Sequence, residues 1–297
     1  MRDIFLAALM AILIPLGLVH PWMGIMNWAF ISLASPHRQA WGAIYDAPLA
    51  MMTAIATLLG LLFSKDPKRL VLKGPILWMS IFSIWMLITY PFSLHHFSND
   101  NIELLIKVMK IMFMNLVAVA VISTRKQVDV LIAVCALSLG IYGVKGGIFT
   151  LMTGGSFRVQ GLGGFLGGNN EMALALIMVI PLLYYLRNIA ENRWYRRGLG
   201  IAIALTCLAA IGSQSRGALI AIAAMGAAFI YRSQARWRAL FPFLAIAVFI
   251  AMFMPETWWM RMDTISTYKE DASAMGRINA WYLAWNVATH NFFGGGF

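Results

Sequence analysis

Charge is what this sequence has least of. Asp, Glu, Lys and Arg make up 12% of 297 residues, against 61% hydrophobic residues. A soluble domain of that length needs far more charge to cover its surface, so a soluble globular class is excluded. Cysteine is nearly absent. Cys135 and Cys207 both lie in apolar stretches with no CxxC pair, which excludes a disulfide framework and a thiol-based metal or redox motif. Also missing are an internal repeat at fixed period, a low-complexity linker and a long basic tail. The net charge of +11 therefore does not read as nucleic-acid binding, because the basic residues are divided among short loops with no aromatic platform between them. The glycine-rich stretch 153–171, TGGSFRVQGLGGFLGGNNE, lacks the Gly-Lys-Ser/Thr ending of a P-loop. His95 and His96 are adjacent and lack the spacing of a zinc site. No metal and no cofactor are assigned.

What the chain does have is long apolar segments. Stretches able to cross about 30 Å as helix run near 4–19, 47–63, 74–91, 104–123, 128–152, 170–187, 198–213, 216–231 and 238–254. The expected fold class is all-α, a polytopic helical membrane protein of about nine spans. Residues 1–254 form the transmembrane domain, and 255–297 begin a large polar outer loop. The N-terminal segment has a charged start but no small-residue cleavage site, so it is read as an uncleaved first helix. The apolar stretch 22–35, WMGIMNWAFISLAS, is too short for a full crossing and reads as re-entrant or interfacial. Lys and Arg concentrate at Arg2 and in 64–73, 123–129, 187–198 and 231–238. That side is cytoplasmic by the positive-inside rule, which places the N-terminus inside and 255–297 outside.

An arginine at the centre of a membrane helix costs about 2.5–3.5 kcal/mol, which draws attention to Arg216 in GSQSRGALIAIA. The topology moves it to the outer rim, between two short helices, where one reading is an ordinary interface arginine. The other is a phosphate or diphosphate ligand. Gly212 and Gly217 allow close backbone approach, Ser213, Gln214 and Ser215 offer donors, and a guanidinium fork beside helix N-terminal amides suits such an anion. Lys145, within the 128–152 span, either snorkels outward or faces a polar cavity or anionic partner. Its neighbours Gly143, Gly146 and Gly147 permit close helix packing. Arg158 in the glycine-rich loop is a third candidate cation for the same cluster. Asn169, Asn170 and Glu171 open the next helix, with either Asn as N-cap and Glu171 complementing the dipole. In the tail, Arg277 begins RINAWYLAW, where Ile278, Trp281 and Trp285 share one face of an expected amphipathic helix on the outer membrane surface. There Arg277 either snorkels to lipid phosphate or holds a substrate phosphate. The chain stops at HNFFGGGF with no closing helix, which reads as an interrupted outer loop.

The stretches PHRQAWG (36–42), YGVKGGIFTL (142–151), GGNNEMALAL (167–176), SRGALIA (215–221), RINAWYLAW (277–285) and FFGGGF (292–297) resemble, in that order, the O-antigen ligase and polymerase superfamily. Within it, PHRQAWG and YGVKGGIF resemble the O-glycosylation ligases associated with exosortase systems. The resemblance implies inverting, metal-independent glycosyl transfer at the periplasmic face of the bacterial inner membrane. The donor would be a glycan on a polyprenyl diphosphate, and the acceptor a lipid sugar or a protein side chain. It further implies that Arg216 binds the diphosphate; Lys145, Arg158 and Arg277 are, from their residue type and position, the further candidate diphosphate ligands, with Ser213, Ser215, Asn169, Asn170 and Glu171 in support. Family members use a histidine of the large outer loop as general base. His290 does not match its position, so the catalytic base is expected beyond Phe297 and the chain on its own to be inactive. A glycan polymerase shares this architecture. A flippase for polyprenyl-linked glycans is a non-enzymatic alternative, and Cys207, Arg216 and His290 supply the residue types of a membrane cysteine transpeptidase.

Overall fold

The computed structural model describes every residue except Met1, Ala43, 94–98, Leu162, Gly164, Phe165, Ala235, 264–271 and Phe297, and only the backbone at 236–240, 242, 243, 272 and 273. His95 and His96 lie outside the described residues. Among those described there is no strand. The α-helices are α1 (Arg2–Val19), α2 (Pro21–Ala34), α3 (Leu49–Phe63), α4 (Pro75–Thr89), α5 (Asn99–Val121), α6 (Arg125–Met152), α7 (Asn169–Ile189), α8 (Arg193–Gly212), α9 (Arg216–Arg232), α10 (Arg236–Phe253), α11 (Glu256–Asp263) and α12 (Ala272–His290), with 3-10 turns at Pro36–Gln39 and Tyr90–Phe92.

Each of the expected apolar stretches is helical, but they differ in reach. Among the described residues, 6 helices are long and apolar enough to cross a membrane, or up to 7 if Leu244–Phe253 and Glu256–Asp263, bent by 113°, count as one span. The 15 residues of α3 extend about 22 Å at 1.5 Å per residue, less than a straight crossing of about 30 Å. Large apolar side chains cover the helix exteriors: Ile4 is 75% exposed, Phe63 80% and Met252 83%. Such surfaces are stable in hydrocarbon and costly in water.

The chain divides into two compact units. The first comprises Met1–Ala11, Trp28–Ala50 and Asp129–Ser266, and its centre is α7. Half of the spanning window of α7 is buried, with Met172, Leu176, Val179 and Leu183 almost fully enclosed. The α6–α8 crossing is made by small residues. A Cβ on Gly143 would strike the Thr206 hydroxyl, one on Gly147 the Leu205 carbonyl, and one on Gly212 the Thr150 hydroxyl. The glycine spacing read from the sequence is thus a close-packing stripe, the usual means by which membrane helices gain van der Waals contact without a hydrophobic driving force.

The second unit comprises Ile12–Asn27, Met51–Val128 and Thr267–Phe297, and it revises the expected path of the first helix. The ring Nδ1 of His20, just past the end of α1, lies 3.3 Å from an Asp66 carboxylate oxygen. The Gly17 and Gly24 backbones are in contact, both beside Thr57, and Gly60 lies against the Gly17 and Leu18 carbonyls. Asn27 donates to the Thr53 hydroxyl at 3.3 Å. Hence α1 and α3 run in the same direction and α2 runs against both. Residues 21–34 are therefore the return limb of a hairpin broken at His20–Pro21, where proline removes the N–H that would continue the helix. The end of α1 lies beside the basic 64–73 loop. Elsewhere in this unit the Arg69 N–H donates to the Ala120 carbonyl at 2.9 Å, so the same loop sits at the C-terminal end of α5. At the far end of α4, Phe293 stacks on Phe92 with ring centroids 4.1 Å apart.

One further expectation fails in α12. Trp281, Tyr282, Leu283 and Trp285 are all exposed and lie around the helix rather than along one stripe, so it is not amphipathic in the sense expected.

Candidate functional site

The stretch GSQSRG is the turn between α8 and α9. The last carbonyls of a helix have no partner within it, and here the carbonyls of Ile211 to Gln214 are met from α7, α11 and the loop before α7. Trp258 of α11 donates its indole N–H to the Ile211 carbonyl at 3.3 Å. The Val159 backbone donates to Gly212 at 3.0 Å, Asn169 of α7 donates its side-chain amide to Ser213 at 2.9 Å, and Arg261 of α11 donates its Nε–H to Gln214 at 2.9 Å. The turn is completed by Gln214 at φ 53, a left-handed conformation uncommon for a residue with a side chain. Ser215 then caps α9. Its hydroxyl accepts from the Ala218 N–H at 3.4 Å and donates to the Asn170 side-chain oxygen at 2.7 Å. Arg216, half-buried, is the first residue of α9.

The side chain of Gln214, 6% exposed, is the centre of the arrangement. It donates to the Gly155 carbonyl at 3.0 Å and accepts from the Arg158 Nε–H at 3.4 Å. Arg158 and Arg261 are thereby drawn onto one residue, two positions before Arg216. Beside them opens a cavity of about 620 Å³ lined by Phe149, Ser156, Phe157, Arg158, Gln160, Gln214, Thr257 and Arg261. Among the described residues its lining holds no carboxylate.

The supporting residues thus have structural partners. Ser213 donates back to the Ala210 carbonyl at 2.6 Å and accepts from the Ser215 N–H at 3.2 Å. The N-cap of α7 is Gly168, not Asn169 or Asn170. The two asparagines instead reach across to the α8–α9 turn, which gains more from their amides than a helix start already served by Glu171. The Glu171 carboxylate folds over Gly168, where a Cβ would collide with it.

Lys145 belongs to a separate arrangement in the same unit. Its ammonium donates to the Gln39 side-chain oxygen at 3.1 Å, the Gln39 amide donates to the Tyr142 hydroxyl at 3.1 Å, and Tyr142 donates to the Ala34 carbonyl. The PHRQAWG and YGVKGGIF stretches are therefore bonded to each other. Arg38 lies 4.7 Å over the Tyr45 ring and 3.9 Å from Asp46. Burial, and secondarily the Arg38 charge, hold His37 below the ordinary histidine pKa, and its Nδ1 is buried with no hydrogen-bond partner among the described residues. Arg277 is exposed on α12, in the other unit. The Cys207 thiol is buried in α8, away from any reactant a nucleophile would need to reach.

Sequence reasoning missed Arg261, Gln39 and Tyr142, and treated Gln214 only as one donor among three. A glutamine flanked by serines between two apolar helices was the available signal for Gln214. For Arg261, in ETWWMRMD, nothing local distinguishes it from an interface arginine.

A helical membrane protein that gathers cations at one end of its helices, on a turn tied down from several elements, is the class this fold and site define. Residues 1–191 match a family described as a family of unknown function, DUF5935, and residues 199–297 match one described as O-antigen ligase, Wzy_C. The first match takes in more than half of the chain, which belongs to the DUF5935 family. The second supports the wider superfamily and a membrane glycan-transfer function of ligase type, with a lipid-linked glycan and an acceptor as substrates. No curated protein and no solved structure matches the chain significantly. The site is built across the two matched segments, with Arg158, Asn169 and Asn170 from the first and Gln214, Ser215, Arg216 and Arg261 from the second.

Proposed function

We propose that the protein transfers a glycan from a polyprenyl diphosphate to an acceptor hydroxyl, with Arg216 holding the diphosphate. The observation that carries this reading is the α8–α9 turn, which fixes Arg216 at a helix start beside two further arginines. In the transfer, the acceptor oxygen attacks the anomeric carbon from the face opposite the diphosphate. The new C–O bond forms, the bond to the diphosphate breaks, the acceptor proton passes to a general base, and configuration inverts. The guanidinium of Arg216 stabilises charge developing on the leaving diphosphate, a role that needs no metal. Arg158 and Lys145 raise the local positive potential, each held by a neutral amide that leaves its charge intact.

The site faces the periplasm of a bacterial inner membrane. The basic loops 64–73, 123–129, 187–198 and 231–238 mark the cytoplasmic ends of the helices they join, and the turn at Arg216 is at the other end of α8 and α9. The bonded PHRQAWG and YGVKGGIF stretches support the exosortase-associated O-glycosylation branch over a polymerase.

The test supplies the protein in its natural full length, reconstituted in vesicles, with a polyprenyl-diphosphate glycan and candidate lipid and protein acceptors. Arg216→Ala should lose transfer while still inserting. Normal transfer by that variant would overturn the diphosphate role. Lipid translocation without any acceptor would favour a flippase, and loss of activity in Cys207→Ala a cysteine transpeptidase.

A further inference from the structure

The first unit holds a second cavity, of about 430 Å³, whose walls are hydrocarbon: Phe5, Leu6 and Leu9 of α1 and Phe30 of α2. Its polar rim is Arg2 and Gln39. That volume is within the usual range for a small-molecule site, roughly 300–1,000 Å³. Phe5 is 72% exposed, so the cavity is open to the hydrocarbon that surrounds the helices. Cations gather at the rim without an acid to match them. Arg2 lines it, and the Gln39 side-chain oxygen holds the Lys145 ammonium at 3.1 Å. Among the described residues neither cation forms an ion pair and no carboxylate lines the cavity. The nearby acids are turned elsewhere: Asp3 accepts from the Gly42 N–H at 3.1 Å, and Asp46 lies against Arg38. Lys145 is two residues from both Gly143 and Gly147, which face α8. At 3.6 residues per turn it therefore projects from the opposite side of α6, away from the helix that leads into the Arg216 turn.

We propose that this cavity is a binding site for one anionic phospholipid of the membrane. An acyl chain lies between Phe5, Leu6, Leu9 and Phe30, and the headgroup phosphate is held by Arg2 with Lys145 on its positive side. The two halves of the site match the two halves of such a lipid: apolar walls take the chain by burial of hydrocarbon, and basic side chains beside membrane helices take anionic headgroups. A zwitterionic lipid fills the walls equally well but gains less at the rim, so selectivity comes from the net charge of the headgroup. The lipid is other than the transfer donor, whose diphosphate is assigned to Arg216, and the proposal does not depend on that assignment.

The test exchanges the full-length protein into detergent micelles holding equal amounts of phosphatidylglycerol and phosphatidylcholine with the same acyl chains. Lipid retained on the protein is then read by native mass spectrometry. Phosphatidylglycerol should be retained at least about fivefold over phosphatidylcholine, and Arg2→Gln should lower that preference about fivefold, the usual contribution of one basic residue to holding an anionic lipid. Arg2→Lys should keep most of it. Leu9→Trp, which fills the cavity, should lower retention of both lipids. Arg2 is exposed, so its variants should keep the wild-type unfolding midpoint, and Arg2→Gln is the deciding one. Equal retention of the two lipids by the wild type, or an undiminished preference in Arg2→Gln, overturns the proposal. Polyprenyl monophosphate added to the same micelles is a third arm, and its retention in place of phosphatidylglycerol gives the cavity to the donor's carrier and equally overturns it. The assay requires no transfer, so failure of the ligase reading and failure of the lipid site are separate results.

Discussion

Two glutamines in the first unit hold cations, and they do so from different foundations. Gln39 stands on a short 3-10 turn, accepts from Lys145 and donates to Tyr142. Gln214 stands in a turn whose surrounding carbonyls are met by Trp258, Val159, Asn169 and Arg261, and it accepts from Arg158. Each uses a neutral amide where a carboxylate would have cancelled the charge. A cation held by an amide stays available to an anion, whereas Arg38 is set against Asp46. The lesson is that the identity of the partner, more than burial, separates a cation kept for a ligand from one used in the fold.

The largest expected effect separates the two arrangements functionally. Arg216→Ala should lower transfer by about 10²–10³, the usual consequence of removing one preorganised group that stabilises developing negative charge. Lys145→Ala, on α6 and held by the less braced glutamine, should lower it by about tenfold or less. A vesicle transfer assay on both variants decides it, and equal losses would erase the distinction.

Packing gives the next effect. Gly147→Val drives a side chain into the Leu205 carbonyl and should destabilise by roughly 1–3 kcal/mol or more, the range for overpacked cores. The same change at Gly198, which has open space around it, should lie near 0.5 kcal/mol. Thermal unfolding in detergent measures both.

Gln214→Ala keeps a side chain at a left-handed position, so its cost isolates the amide bonds. It should destabilise by about 1–3 kcal/mol, because buried groups are left unsatisfied. Gln39→Ala, on a half-buried residue, should cost less, about 0.5–1.5 kcal/mol. Reversal of that order in unfolding midpoints would contradict the bracing of the α8–α9 turn.

The smallest effect is a pH dependence at the 36–42 turn. Folding lowers the His37 pKa, so below the ordinary histidine value of about 6.5 the unfolded chain binds more protons than the folded one. Stability is full above that value and declines as pH falls through the window down to the folded pKa. The unfolding midpoint should drop on acidification from pH 7.5 to 5.5, and the drop should be smaller in His37→Gln.

The helical segments and the glycine stripe of α6 were legible in the sequence because both depend on local composition and short spacing. The direction of α1 was not. Its packing is set by contacts of His20, Gly17 and Gly60 with residues far along the chain, which a count of basic residues in the loops does not contain. The α7 start illustrates the same limit. Asn169 and Asn170 have the chemistry of N-caps, but the better use of their amides lies some 45 residues away, beyond any local rule. Arg216 was found because a lone arginine against an apolar run is costly wherever it sits. Arg261 was not, since its significance comes only from the Gln214 carbonyl it meets.

The sequence by itself determined that this is a helical membrane protein with scarce charge placed mostly towards helix ends, because long apolar segments satisfy their backbone in hydrocarbon as internally bonded helices. It also singled out Arg216, whose solvation cost demands an explanation. Only the tertiary structure decided which cations share a site. Side chains distant in sequence were brought to one turn by the carbonyls α8 leaves unpaired at its end, and that choice of partners is made by three-dimensional proximity rather than by residue type.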